Sequence, residues 1–201
     1  MPADYLCRMN DTIRKRLRNE FSSGTYDPLS PLFARENSCG KFFSELQDLV
    51  TRHSIDDELG QHIETLALGW LEGHSLRDFR NESSAAYGRT YLGRCPETGW
   101  EAIVMSWQGG RASSIHAHPQ FAGYFFADGE FRVEIFEPAG AGRARLKKTL
   151  HIVAPHGLYA IGSTGRFDNH IHRITCLSDE GHSLHIYSDD ALQGEVYELT
   201  R

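Results

Sequence analysis

The feature that most constrains the fold is a series of short apolar segments that fills the chain from about residue 85 onward. Gly, Pro and charged residues separate neighbouring segments. Segments of this length and spacing are typical of β-strands joined by short turns. They lie at residues 87–92, 100–107, 113–118, 121–127, 131–136, 149–153, 158–161, 171–177, 183–187 and 195–199. Such a series predicts a mainly β fold, either a closed antiparallel barrel or a double-sheet jelly roll.

The chain before this β region has helical periodicity instead. Its apolar residues recur at helical spacing in two stripes, Phe42, Phe43, Leu46, Leu49 and Val50, then Ile55, Leu59, Ile63, Leu66 and Trp70. We therefore divide the chain into an N-terminal helical segment, residues 1–84, and a β-barrel, residues 85–201. A chain of 201 residues suits one compact unit, with the helices packed on the barrel.

Composition excludes several classes of protein. The net charge of -6 and the pI near 6.0 argue against nucleic acid as a partner. No apolar run is long enough for a membrane span and no signal peptide opens the chain, so we expect a cytoplasmic protein. The four cysteines, Cys7, Cys39, Cys95 and Cys176, form no CxxC pair and are expected to be reduced. A monomer or a small homo-oligomer is expected.

A pair of histidines in the third predicted strand indicates a metal site. His116 and His118 follow Gly110 in the pattern Gly-x5-His-x-His. Alternate side chains of a strand point to the same face, so the two imidazoles are expected to lie side by side. Neutral imidazole is a common metal ligand, and two on one face make half of a site.

The chain lacks the glutamate that completes the metal site in the general cupin pattern. That pattern places Glu four or five residues after the second histidine, where this chain has Ala122 and Gly123. His170 and His172, in a later predicted strand, are the two candidates for a third ligand. Spacing alone does not choose between them, nor among Fe, Mn, Ni and Zn.

Four motifs together resemble the cysteine dioxygenases of the cupin superfamily. The segment GGRASSIHAH at residues 109–118 is similar to the family's metal strand, and YGR at residues 87–89 to its Tyr-x-Arg. HR at residues 172–173 is similar to the His-Arg that carries the third ligand. SLHIYS at residues 183–188 is similar to the family's Ser-Leu-His-Leu-Tyr-Ser. The resemblance covers about half of the chain and implies a cupin jelly-roll β-barrel.

The resemblance also implies a role for each matching residue. The implied ligands of Fe(II) are His116, His118 and His172. The implied substrate-binding residues are Arg89, which holds the substrate carboxylate, and Tyr87. The implied catalytic network is Ser183, His185 and Tyr187. In the animal enzymes a cysteine shortly after His-x-His is cross-linked to the network tyrosine; Ala122 and Gly123 stand there here, as in bacterial members.

The expected activity is therefore oxidation of a small thiol amino acid, most simply L-cysteine, by dioxygen to the sulfinic acid. The alternatives are 3-mercaptopropionate or mercaptosuccinate as substrate, a non-catalytic cupin that binds a metal or ligand, and a metal-dependent isomerase. Arg166, shortly before the third ligand, is either a surface loop residue or a holder of a second substrate carboxylate.

Overall fold

The structure, a computed structural model, describes residues 37–79 and 86–200. The expected helical segment is represented there by two α-helices, α1 (Asn37–Arg52) and α2 (Asp57–Glu72), and a short 3-10 helix, Leu76–Phe79. The part of that segment before residue 37 lies outside the described residues. The Asp56 carboxylate begins α2 by accepting a hydrogen bond from the Leu59 N–H at 3.0 Å, which is a standard N-cap.

Strands occur at all ten predicted positions. They are β1 (Tyr87–Arg94), β2 (Glu101–Gln108), β3 (Ile115–His118), β4 (Phe121–Asp128), β5 (Glu130–Pro138), β6 (Arg143–Val153), β7 (His156–Ile161), β8 (Asn169–Cys176), β9 (Glu180–Tyr187) and β10 (Val196–Leu199). The largest difference in length is at β6, which begins six residues earlier than expected. Its alternation is hidden because most of its residues are exposed.

The ten strands form two sheets, which confirms the jelly-roll prediction. One sheet has the order β1-β2-β9-β4-β7, and the other has the order β10-β3-β8-β5-β6. In the second sheet β10 also pairs with β6, so these five strands close into a ring. The β10–β6 pairing is parallel, whereas a purely antiparallel barrel is one of the two forms that the sequence predicts.

The helices pack on the outer face of the five-stranded sheet. The predicted stripe residues Leu59, Ile63 and Trp70 of α2 are buried there with Phe121 and Phe125 of β4. Gly60 makes the approach close, since a Cβ at this position would lie 2.3 Å from the Tyr159 ring of β7. One face of the sheet is therefore covered by helices, which leaves its other face to line the barrel interior.

Three described cysteines, Cys39, Cys95 and Cys176, are buried, and Cys7 lies outside the described residues. Within residues 37–79 and 86–200, no helix combines the length and the apolar character that crossing a membrane requires.

Candidate metal centre

Three histidines converge inside the barrel. His116 and His118 lie on β3, and His172 lies opposite them on β8, in register with His116. Their candidate ligand nitrogens all lie within 4.8 Å of one another. Three imidazoles at this separation can close on a single transition-metal ion through small side-chain rotations.

Two of the three histidines are oriented by backbone carbonyl groups. Nδ1 of His116 lies 3.0 Å from the Ser114 carbonyl oxygen, and Nδ1 of His172 lies 2.9 Å from the His170 carbonyl oxygen. An Nδ1–H that donates to a carbonyl leaves Nε2 as the unprotonated nitrogen. This is the usual way in which a protein presents Nε2 of a histidine to a metal.

The third histidine, His118, provides the test of whether a metal fits. Its ring is 2 % exposed, and neither ring nitrogen has a hydrogen-bond partner. A buried polar nitrogen without a partner is costly, so it calls for a ligand such as a metal ion. The ring stacks on that of Tyr187, with centroids 4.6 Å apart and an angle of 8° between the planes. A metal bound here would satisfy the unpartnered imidazole.

The electrostatics of the centre also suit a metal. Burial lowers the pKa of His116, and it lowers the pKa values of His118 and His172 well below the ordinary range. The three rings are therefore neutral at pH 7, which is the form that coordinates metals.

His170 lies beside the three histidines but differs from them in its partner. Its ring is 5.2 Å from that of His172, and its Nδ1 lies 3.3 Å from the Tyr124 hydroxyl. The sequence suggests simple alternation of His170 and His172 along one strand. Instead, His118 is in register with Asn169 at an irregularity in the pairing, and His170 has a φ of 49°. Pattern reasoning did not identify this bulge.

Four side chains form a hydrogen-bonded relay that ends at the metal centre. The Trp107 indole N–H donates to the Ser183 hydroxyl at 2.8 Å, and that hydroxyl lies 2.8 Å from Nε2 of His185. Nδ1 of His185 is 2.8 Å from the Tyr187 hydroxyl. The last three were predicted from sequence. Trp107 was not, although alternation along β2 directs it to the barrel interior.

Burial sets the protonation states of the relay. It lowers the pKa of His185 to about 3, so this imidazole is neutral. It also raises the pKa of the Tyr187 hydroxyl well above the ordinary value, so the hydroxyl keeps its proton. A neutral histidine between two hydroxyl groups donates to one and accepts from the other.

A cavity connects the histidines with a cationic side chain. It has about 340 Å³ of empty space, part of it open to solvent. Its lining residues are Tyr87, Arg89, Ile103, Met105, Trp107, His116, His118, His172, Ile174, His185, Tyr187 and Ala191. The half-buried Arg89 donates to the Tyr87 hydroxyl at 3.2 Å, and its guanidinium lies 5.4 Å from the centroid of that ring. It is close enough to contribute to the lowered pKa of His116.

The fold also shows where residues 122 and 166 lie relative to the cavity. Ala122 is in register with Tyr187, whereas a Cβ at Gly123 would meet the rings of Phe121 and Phe125. Position 122 is therefore the one beside the network tyrosine, and it carries no thiol. Arg166 lies on an exposed loop, where it pairs with Asp168, and it is not among the described residues that line the cavity.

A buried carboxylate that the sequence did not single out supports one wall of the cavity. Glu101 is fully buried and accepts a hydrogen bond from the backbone N–H of Ala191, a lining residue, at 2.9 Å. Its other oxygen lies 3.5 Å from Arg94, which also pairs with Asp190. Burial raises the pKa of Glu101 to about 7, against the opposing effects of the Ala191 N–H and of Arg94.

The fold and the site define the class of the protein: a jelly-roll barrel with a three-histidine site in its interior and an arginine in the same cavity. The family model for cysteine dioxygenase type I matches residues 29–198, which is most of the chain. The chain belongs to the cysteine dioxygenase type I family.

No curated protein matches the chain significantly in sequence. Among solved structures, a cupin superfamily protein from Desulfitobacterium hafniense is 15 % identical over 57 % of this chain and 88 % of its own, with a TM-score of 0.43. A Klebsiella pneumoniae protein with a double-stranded β-helix domain is 14 % identical over 62 % and 96 %, with a TM-score of 0.44. An oxalate oxidase is 14 % identical over 63 % of each chain, with a TM-score of 0.46. These distant likenesses carry no argument about chemistry.

Proposed function

We propose that the protein is an Fe(II)-dependent thiol dioxygenase that converts L-cysteine and dioxygen to cysteine sulfinic acid. The observation that carries the proposal is the geometry around His118, whose two buried nitrogens have no partner and which lies with His116 and His172 in the cavity that Arg89 lines. The family to which the chain belongs supports the same chemistry.

The reaction balances without any further reductant. A thiol and one dioxygen molecule give a sulfinic acid: the O–O bond breaks, two S–O bonds form, and sulfur loses the four electrons that dioxygen gains. When bound to His116, His118 and His172, Fe(II) would bring the thiolate and dioxygen together and carry electrons between them. Partners other than the small thiol and dioxygen are not required.

Arg89 is the residue that we assign to the substrate carboxylate. The planar guanidinium offers two parallel N–H donors, which match the two oxygens of a carboxylate. Tyr87 supports this role because its hydroxyl accepts from Arg89 and its ring packs against that of Trp107, with centroids 4.7 Å apart. The guanidinium is thereby oriented before a substrate arrives.

Tyr187 is the residue that we assign to the reacting groups. If the His185 Nδ1–H donates to the Tyr187 oxygen, the tyrosine O–H is left to donate into the cavity. That O–H can stabilise negative charge as it develops on oxygen, which is a function of positioned hydrogen-bond donors in active sites. Ser183 and Trp107 hold the relay in place through Nε2 of His185.

The test is oxygen uptake by Fe(II)-loaded protein with L-cysteine, 3-mercaptopropionate and mercaptosuccinate in parallel. We expect uptake with L-cysteine and, with isotopically labelled dioxygen, a sulfinate that contains both labelled atoms. His118→Ala is expected to lose iron and activity together, because it removes one of three ligands. His151→Ala, on the exposed edge of β6, is the matched control and should retain both.

The other outcomes discriminate among the alternatives. Uptake with 3-mercaptopropionate or mercaptosuccinate alone would keep the chemistry but reassign the substrate. No uptake with any thiol at full iron loading would contradict the proposal and favour a non-catalytic metal-binding cupin.

A further inference from the structure

A second group of metal-ligating side chains lies outside the barrel, at the junction of the two helices. His53 directly follows the last residue of α1, and Glu58 and His62 lie on α2. Residues four apart on a helix are neighbours on its surface, so Glu58 and His62 present their side chains side by side. The turn between the helices brings His53 to the same place.

The candidate ligand atoms of these three side chains lie close to the separations that a bound metal ion requires. The candidate ligand atoms of His53, Glu58 and His62 all lie within 4.8 Å of one another. The rings of His53 and His62 meet edge to face, with centroids 5.1 Å apart. A tetrahedral zinc ion with bonds of about 2.0–2.1 Å needs its ligand atoms about 3.4 Å apart. Rotation of exposed side chains can supply this contraction.

The backbone beneath the three residues is held by contacts unrelated to any metal. The His53 N–H donates to the Leu49 carbonyl at 3.1 Å, which continues the hydrogen bonding of α1. The Asp56 cap holds the first turn of α2, and Ile55 between them packs against the helical core. His53 is consequently kept at a defined place relative to α2, which lowers the entropy lost on binding an ion.

The chemistry of the ligand set selects a class of ion. Two imidazoles and one carboxylate suit a late first-row divalent cation much better than Mg²⁺ or Ca²⁺, which prefer oxygen ligands. Asp56 and Asp57 add negative charge at the same end of α2, which attracts a cation over a short range. A site of three protein ligands keeps a position for water.

We propose that His53, Glu58 and His62 form a second metal site, for Zn²⁺ or a similar divalent cation, that fastens the end of α1 to the first turns of α2. The site is independent of the proposed iron chemistry, because it lies on the helices that cover the outer face of the sheet. Its effect is mechanical: binding holds together the helical pair that covers β4 and β7.

The experiment is a zinc titration of the untagged, metal-free full chain by calorimetry, with bound metal counted after dialysis. We expect two zinc ions per chain, one in the barrel and one at the helices. His62→Ala and Glu58→Gln should each bind one, His118→Ala should bind one, and the His62→Ala/His118→Ala double variant should bind none. His156→Ala, an exposed histidine of β7, is the control and should still bind two.

Hydrogen exchange locates the second ion without reference to activity. Zinc should slow exchange of the amides in residues 53–62, and His62→Ala should abolish that protection while leaving its circular dichroism spectrum unchanged. If His62→Ala binds as many zinc ions as the unaltered chain, or if zinc leaves exchange at residues 53–62 unchanged, the proposal is wrong. If the unaltered chain and His118→Ala each bind one zinc ion and His62→Ala binds none, the helix site stands and only the proposed function is contradicted.

Discussion

At the scale of single residues, the site depends on which polar atoms are already satisfied and which are not. His116 and His172 each direct one nitrogen to a backbone carbonyl, and His118 has no partner for either nitrogen. The Tyr187 hydroxyl is held by His185, and its ring covers that of His118. The unsatisfied atoms therefore mark where a ligand is required, and Tyr187 marks the boundary of that space.

Replacing Tyr187 tests the proposed use of its hydroxyl. Tyr187→Phe keeps the ring that stacks on His118 and removes only the group bonded to His185, so iron content should not change. We expect kcat to fall about 100-fold with little change in KM, as for the loss of one positioned donor. Tyr159→Phe removes a hydroxyl that bonds to Asp57 outside the cavity and should leave kcat unchanged. An unchanged kcat in Tyr187→Phe would contradict its assignment.

At the scale of elements, the helical pair is attached to the sheet through a close contact. α2 contains two glycines, Gly60 and Gly69, within a continuous helix. A Cβ at Gly60 would lie 2.3 Å from Cε2 of Tyr159, whereas a Cβ at Gly69 would meet nothing within 4 Å. The first glycine permits packing, and the second only weakens the helix.

The same substitution at the two glycines should therefore have opposite effects on the free energy of unfolding. Gly69→Ala should stabilise the protein by up to about 1 kcal/mol, because alanine is the better helix former. Gly60→Ala should destabilise it by about 1–3 kcal/mol, since the Tyr159 ring must move. Denaturant unfolding of both variants measures the difference. Equal stabilities would show that helix and sheet are not in close contact at Tyr159.

At the scale of the whole molecule, the barrel interior holds buried titratable groups that make stability depend on pH in opposite directions. Burial lowers the pKa values of the five interior histidines, His116, His118, His170, His172 and His185. Such groups give the metal-free protein stability above their unfolded pKa near 6.5 that is lost as the pH falls. Glu101 acts in the other direction, because its pKa is raised to about 7.

Glu101→Gln separates the two effects. A carboxyl whose pKa rises from about 4.5 to about 7 on folding contributes stability that is present below pH 4.5 and lost as the pH rises to 7. The glutamine removes that loss but keeps an acceptor for the Ala191 N–H. The free energy of unfolding of the variant, relative to that of the native chain, should therefore increase as the pH rises from 5 to 7.5, by about 3 kcal/mol at most. Urea unfolding at both pH values measures this gain.

Glu198→Gln, the same substitution at an exposed position of β10, is the control. If Glu101→Gln instead loses stability relative to the native chain as the pH rises, the ion pair of the Glu101 carboxylate with Arg94 is stabilising. Our interpretation that burial of Glu101 outweighs this pairing is then wrong.

Local pattern was sufficient for much of this protein. The series of short apolar segments separated by turn residues predicted ten strands, and helical spacing predicted which side of α2 is buried, because segment length and helical periodicity depend only on the local backbone. His116 and His118 were recognisable as a pair for the same reason. The motif resemblance assigned the family, which the match over residues 29–198 confirms.

Contacts between distant segments were decided only in three dimensions. The choice of His172 to complete the group depends on the pairing of β3 with β8 and on a bulge at His170, which no local pattern reveals. Trp107 and Glu101 join the site because β2 lies beside β9, and the helix junction gathers His53 with His62. The sequence alone determined the strand positions, the buried side of α2 and the histidine pair, because these depend on local geometry. Strand pairing and helix packing decided which side chains meet, because hydrogen-bond partners and burial are properties of the assembled chain.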